Sequence, residues 1–150
     1  MTDRLSDLEL DAWQALLHAH HRIVNTLDAE LRSEHELTFG DYDVLLRLAR
    51  APDRRLRMSE LAKRVMISPS GLTRAVDRLV DAGLVERERA ESDSRVVFAL
   101  LTERGRDVVK RAARTHLRGV RQHFTGKLSE DQLRQLASAL QIITGPHRPH

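Results

Sequence analysis

The hydrophobic spacing of this chain changes at residue 84 and changes back at residue 102, and this break constrains the fold more than any other feature. Up to residue 83, apolar residues recur at three- and four-residue steps, which is typical of amphipathic helices. Residues 84–89 and 95–101 instead fit two short strands around the polar segment 90–94. Helical spacing returns after Thr102. The sequence therefore predicts a mainly α-helical protein with a small β-hairpin.

Two short helices separated by a tight turn are predicted immediately before the hairpin. The first is expected over residues 59–65. Ser68 and Pro69 mark the start of the second, because serine caps free amides and the missing N–H of proline costs nothing at the first helical position. Gly83 suits the left-handed position that ends this helix. A loop is expected before residue 59, and it carries Arg54, Arg55 and Arg57.

Long amphipathic helices are predicted on both sides of this central unit. Capping-box patterns begin at Ser6 and at Ser129, where a Glu or Gln follows three residues later. Thr38 and Thr102 start two further helices. The tail 146–150 is expected to fray. At 150 residues the whole chain, 1–150, fits a single domain.

Charge is distributed unevenly along the chain. The 25 Lys and Arg residues against 22 Asp and Glu give a net charge of +3. Residues 1–50 carry 5 basic and 10 acidic residues (−5), residues 51–106 carry 12 and 9 (+3), and residues 107–150 carry 8 and 3 (+5). Arginine, whose planar fork suits phosphate and guanine, supplies 22 of the 25 basic residues. Nucleic acid is therefore a candidate partner, although a GC-rich genome that places arginines on solvated helix faces explains the charge alone better.

Several classes of protein are disfavoured by what the sequence lacks. With no cysteine, the chain has no disulfide, thiolate zinc site, cysteine nucleophile or cysteine redox sensor. No apolar run reaches the roughly 20 residues of a membrane helix, and the acidic N-terminus does not fit a signal segment, so we expect a cytoplasmic protein without membrane contact. Phosphate-binding loops and hydrolase motifs are also missing, which disfavours an enzyme.

A helix, a turn, a second helix and a hairpin together form a compact reader of duplex DNA. The second helix fits the major groove, and the hairpin can reach an adjacent groove. The short polar side chains at the start of the second helix allow it to approach DNA closely. Arg74 and Arg78, one turn apart on the same helix, can bind phosphates or guanines. The alternative is an ordinary amphipathic helix whose arginines pair with Asp77 and Asp81. The residues of this helix that we expect to contact DNA are Ser68, Pro69, Ser70, Gly71, Thr73, Arg74 and Arg78.

Five segments in order make the chain resemble the MarR family of winged helix-turn-helix transcription regulators. They are MSELA at 58–62, GLTRAVDRL at 71–79, GLVER at 83–87, DSR at 93–95 and LTERG at 101–105. The resemblance covers nearly the whole chain. It implies a winged helix-turn-helix DNA-binding lobe over residues 38–105, flanked by long dimerisation helices in residues 1–36 and 107–145.

The resemblance also implies particular roles in DNA binding. Residues 68–83 would form the recognition helix, and Arg95 at the hairpin tip would enter the minor groove, held in place by Asp93. Ser94 stands where many members have a basic residue, which weakens the expected grip of this wing on the DNA backbone.

Members of the family commonly act as dimers that respond to small ligands. The resemblance therefore implies a homodimeric repressor, released from a palindromic operator by a small aromatic or anionic effector. It places carboxylate contacts at Thr73 and Arg87, and Trp13 is a further candidate for the pocket. The alternative for Arg87 is an ion pair with Glu60. A nonspecific architectural DNA-binding protein and a protein-binding module are the alternatives for the chain as a whole.

The histidines of the first helix form the one pattern that resembles a metal site. His18 and His21, three residues apart, face the same way and can both reach one ion. No cysteine or obvious carboxylate accompanies them, so we expect no metal and no other cofactor.

Overall fold

The computed structural model describes residues 3–145, which form six α-helices and one three-stranded antiparallel sheet. The helices are α1 (Asp7–His35), α2 (Phe39–Arg50), α3 (Met58–Arg64), α4 (Pro69–Asp81), α5 (Glu103–His123) and α6 (Glu130–Thr144). The strands are β1 (Arg55–Arg57), β2 (Val85–Arg89) and β3 (Val97–Leu101). Within the described range, no helix is long and apolar enough to cross a membrane. The expectation for the tail 146–150 lies outside this range.

Five of the six helices begin where the sequence predicts them with a side-chain cap; α3 begins at Met58 without one. Ser6, Thr38 and Ser129 each form a complete capping box. Ser68 and Thr102 accept a hydrogen bond from the backbone N–H three residues ahead. At the other end of α4, Gly83 has a φ of 75°, the left-handed conformation expected there.

The loop predicted around residues 54–57 is wrong in part, because Arg55–Arg57 form the strand β1. This strand pairs with β3, so that Leu56 lies opposite Ala99, and the strand order is β1-β3-β2. Leu56 is buried, whereas the Arg55 guanidinium lies 4.0 Å from the ring centroid of Phe98. Three residues are too few to produce a recognisable alternation, and the partner strand lies about forty positions later in the chain.

One hydrophobic core joins the central lobe to the flanking helices. Leu45 and Leu48 of α2, Leu61 of α3 and Leu79 of α4 are almost fully buried in it. The same core contains Leu31 from the end of α1 and residues from the first half of α5, namely Val109 and Ala112. The central lobe is thus packed directly on the end of α1 and the first half of α5.

The acidic first helix packs on α5, in the basic last third of the chain. Glu34 accepts hydrogen bonds from the Thr115 hydroxyl at 2.7 Å and from the Arg118 guanidinium at 2.6 Å. These two donors, Thr115 above all, hold the pKa of Glu34 below its usual value. Glu30 pairs in the same way with His123. Polar contacts therefore fix α1 against α5.

Candidate nucleic-acid interface

Helix α4 separates its apolar and polar residues onto two faces. Leu72, Ala75, Val76 and Leu79 are buried against the core. The opposite face is exposed and carries Ser68, Ser70, Thr73, Arg74, Asp77 and Arg78. The side chains at the start of the helix are short, and two of them bond locally: Ser68 Oγ accepts from the Gly71 N–H, and the Thr73 hydroxyl donates to the Pro69 carbonyl. This face can therefore approach another surface closely.

Two buried aspartates of α2 hold α4 and the turn before it. Asp41 Oδ1 accepts a hydrogen bond from Arg78 Nη2 at 2.8 Å. Asp43 Oδ2 accepts from the backbone N–H of Met66, in the turn between α3 and α4, at 2.8 Å. Sequence reasoning missed these roles. The available signal was two acidic residues within a stretch that otherwise buries apolar side chains, since a buried carboxylate needs a partner.

The two arginines of α4 differ in their surroundings. Arg78 does not pair with Asp77 or Asp81, the partners considered from the sequence, because the buried carboxylate of Asp41 takes one of its amino groups. Asp77 pairs instead with Arg87 of β2. Arg74 forms no hydrogen bond or ion pair with any other residue in the range 3–145. The N–H donors of its guanidinium are therefore available to a partner molecule.

At the tip of the hairpin, Asp93 and Arg95 form a compact pair. The backbone N–H and the Nε of Arg95 donate to Asp93 Oδ1 at 3.0 and 3.2 Å, and its Nη2 lies 3.3 Å from Oδ2. These bonds from Arg95 hold the pKa of Asp93 below its usual value. The Arg95 side chain is nevertheless 89% exposed. The carboxylate thus orients a guanidinium that projects into solvent.

The three residues predicted to bind a ligand are only partly brought together. Thr73 lies one helical turn before Asp77, and Arg87 bonds to Asp77, so Thr73 and Arg87 share one side of α4. Arg87 does not pair with Glu60, whose partner is Lys63. Trp13 is 54% exposed and lies within residues 3–22, a stretch that is exposed throughout.

His18, His20 and His21 of α1 lie in the same exposed region. His21 hydrogen-bonds Asn25 on the next turn through its Nε2. Among residues 3–145, no group of three or more His, Asp or Glu side chains is arranged to hold a metal ion.

Comparison with known proteins places this architecture among bacterial regulators. A family model described as "MarR family" matches residues 35–96. The HTH-type transcriptional repressor Rv2887 of Mycobacterium tuberculosis is 30% identical over 107 residues, which are 71% of this chain and 75% of that protein. The HTH-type transcriptional regulator TcaR of Staphylococcus aureus is 27% identical over 126 residues, or 80% of this chain and 81% of that one.

Solved structures agree over nearly the full length. AbsC from Streptomyces coelicolor, a MarR family transcriptional regulator, is 37% identical with a TM-score of 0.87, covering 95% of this chain and 96% of that chain. Sco3205 from the same organism, solved in complex with DNA, is 35% identical with a TM-score of 0.90, covering 99% and 93%. These relatives are regulators and not enzymes, and their fold confirms the predicted winged helix-turn-helix. The chain belongs to the MarR family of transcriptional regulators.

Proposed function

We propose that this chain is a homodimeric repressor that binds a palindromic duplex operator and leaves it when a small molecule binds. The observation that carries the proposal is the pairing of an exposed polar recognition face on α4 with an oriented, exposed arginine at the hairpin tip. A MarR family relative with a TM-score of 0.90 was solved in complex with DNA, which supports the same partner for this chain.

The first contact that we propose is made by α4 in the major groove. Its start carries Ser70 and Thr73, whose hydroxyls can donate to or accept from base edges. Arg74, with all donors available, suits the O6 and N7 acceptors of guanine or a phosphate at the groove edge. Because Asp41 and Asp43 fix α4 relative to α2, little side-chain and helix freedom needs to be lost on binding.

The second contact is made by the hairpin in the adjacent minor groove. A guanidinium fits that narrow groove and is attracted by its negative potential. The contact between Asp93 and Arg95 supports this role, because a fixed arginine loses less conformational entropy when it binds than a mobile one.

Exposed apolar residues support dimerisation through the first and last helices. α6 buries none of its residues within the chain, and Ile142 and Ile143 are 84% and 74% exposed. On α1, Leu8 and Leu17 are exposed in the same way. An apolar surface of this kind favours a second copy over water. Two copies related by a two-fold axis would match a palindrome with half-sites roughly 34–36 Å apart.

The effector that we propose would bind where β2 meets α4. Thr73 and Arg87 would offer a hydroxyl and a cation to a carboxylate, with Trp13 as an aromatic neighbour contributed from elsewhere in the dimer. Arg87 is already paired with Asp77. An anionic effector that displaced this carboxylate from Arg87 would free Asp77 on the DNA-facing helix and add repulsion toward phosphate.

Selection of binding sites from random duplex DNA tests the proposal. We expect enrichment of one inverted repeat whose half-sites are about one turn of DNA apart. Enrichment of no sequence, despite binding at low salt, would indicate a nonspecific architectural protein. An absence of binding at low salt would contradict DNA binding altogether and would favour a protein-binding module.

A further inference from the structure

A basic cleft lies beside α4, where that helix faces the end of α1 and the start of α2. Its volume is about 510 Å³. Three guanidinium groups line it, and no acidic residue does. The polar side chains that line it are Arg32, Thr38, Arg74 and Arg78, and Gly40, Ile67 and Gly71 complete its walls. Arg32 belongs to α1, a helix that the sequence assigned to dimerisation.

Two of these arginines are anchored at the start of α2. One carboxylate oxygen of Asp28 accepts a hydrogen bond from Arg32 Nε at 2.6 Å, and the other accepts one from the Phe39 N–H at 2.8 Å. Asp41 likewise accepts hydrogen bonds from the Arg78 guanidinium at 2.8 Å and from the Thr38 N–H at 3.0 Å. Each carboxylate therefore binds one arginine and one of two consecutive backbone amides. This arrangement fixes Arg32 and Arg78 relative to the same helix end.

The anchoring leaves most of the arginine donors unused. A guanidinium has five N–H donors. Within the described residues, Arg32 bonds only through Nε and Arg78 only through Nη2, and their side chains are 60% and 51% exposed. Arg74 has no partner among residues 3–145. The three arginines and the carboxylates of Asp28 and Asp41 together carry a net charge of +1. This charge and the unused guanidinium donors suit a phosphate group.

We propose that Arg32 is a DNA-contact residue and that, with Arg74 and Arg78, it binds a phosphate of the duplex backbone. The inference rests on the proposed function. Arg74 and Arg78 lie on the face of α4 that would enter the major groove, and the edge of that groove is a row of phosphates. The cleft beside this face is where such a phosphate would lie. Helix α1 then takes part in DNA binding as well as in dimerisation.

The first test measures how binding depends on salt. Fluorescence anisotropy with a mixed-sequence duplex of about 30 base pairs, near three turns, compares the wild-type protein with Arg32→Ala and Arg32→Lys. The slope of log K against log salt should become shallower, by up to about 1.8 if each of two protomers neutralises one phosphate fewer. We expect affinity to fall roughly tenfold at 0.15 M salt in Arg32→Ala, and less in Arg32→Lys, which keeps the charge. Lys110→Ala, an equal charge change on an exposed position of α5, should leave the slope unchanged.

The second test locates the phosphate on a site obtained from the random-DNA selection. Ethylation of one phosphate in each half-site should weaken the wild-type protein more than it weakens Arg32→Ala, which keeps Arg74 and Arg78 at that phosphate. If Arg32→Ala lowers the melting temperature, Arg32→Gln replaces it, since the amide can still donate to Asp28 without the charge. An unchanged salt slope together with an unchanged ethylation pattern would overturn the inference and leave the proposed function intact. Failure of the wild-type protein to bind any duplex would refute both.

Discussion

Gly105, in the first turns of α5, is the residue whose enlargement should most disturb the lobe. A Cβ added there would lie 2.2 Å from the Leu84 carbonyl oxygen and 2.7 Å from Leu101 Cδ1. The Leu84 oxygen belongs to the backbone between α4 and β2, and it accepts a hydrogen bond from the Thr102 N–H at 3.1 Å. Backbone cannot turn away as a side chain can, so the helix and this connection must separate.

The expected cost of Gly105→Ala follows from three opposing effects. Alanine gains about 1 kcal/mol over glycine in a helix interior. Overpacking costs about 1–3 kcal/mol, and loss of the bond between Thr102 and Leu84 costs about 1 kcal/mol. We therefore expect a net destabilisation of about 2 kcal/mol. For a chain of this size the melting temperature should fall by about 4–8 °C.

Gly119→Ala is the matched control, because it makes the same change in the same helix. The added Cβ would meet only side-chain atoms, Glu30 Oε2 and Leu27 Cδ2, at 2.5 and 2.6 Å. These atoms can move by rotation, so the helical gain should offset most of the strain. Thermal unfolding at equal protein concentration compares the two variants. Equal melting temperatures would show that the contact with the Leu84 backbone is not the cause, and the reasoning would fail.

Three further predictions concern DNA binding, assembly and pH. Arg95→Ala should weaken operator binding at least tenfold in a gel-shift titration, and an unchanged affinity would rule out the minor-groove role. Ile142→Asp places a charge on the exposed apolar face of α6 and should raise the dimer dissociation constant at least a hundredfold in sedimentation; an unaltered dimer would exclude this surface. Burial lowers the pKa of His116 from 6.5, so the unfolded chain binds a proton more readily than the folded chain does. The free energy of unfolding therefore decreases as the pH falls below about 6.5. His116→Phe should therefore lose less stability than wild type between pH 7 and about 5.5, and parallel curves would contradict this.

The sequence predicts the helices and the hairpin well because their signals are local. Ser68, Pro69 and Gly83 act through bonds and dihedral angles within a few residues of themselves, so their effect is visible without the tertiary structure. The contact of Asp93 with Arg95, two positions apart, is local in the same sense.

What the sequence does not reveal depends on distant neighbours. β1 exists because β3 pairs with it, and Arg78 turns to Asp41, 37 positions away, instead of to its neighbours on α4. Asp41 is buried, so it gains more from a cation than the exposed Asp77 does. The cleft with Arg32 also arises only when α1, α2 and α4 have packed. The DNA-binding roles of the individual residues, and the ligand roles of Thr73, Arg87 and Trp13, stay predictions.

Helix α5 runs without interruption for 21 residues, from the end of the hairpin to the contacts with α1. A helix of that length spans about 30 Å. One end is fitted tightly to the backbone at Leu84, and the other is fixed to Glu34 and Glu30. The angle between α5 and α1 therefore determines where the lobe lies. A tilt of α5 by about 10° at its α1 end displaces its other end by about 5 Å. Since Asp41 and Asp43 bind α4 and the turn before it to α2, these helices would move together, and under the proposed function a ligand that tilted α5 would reposition the whole recognition face.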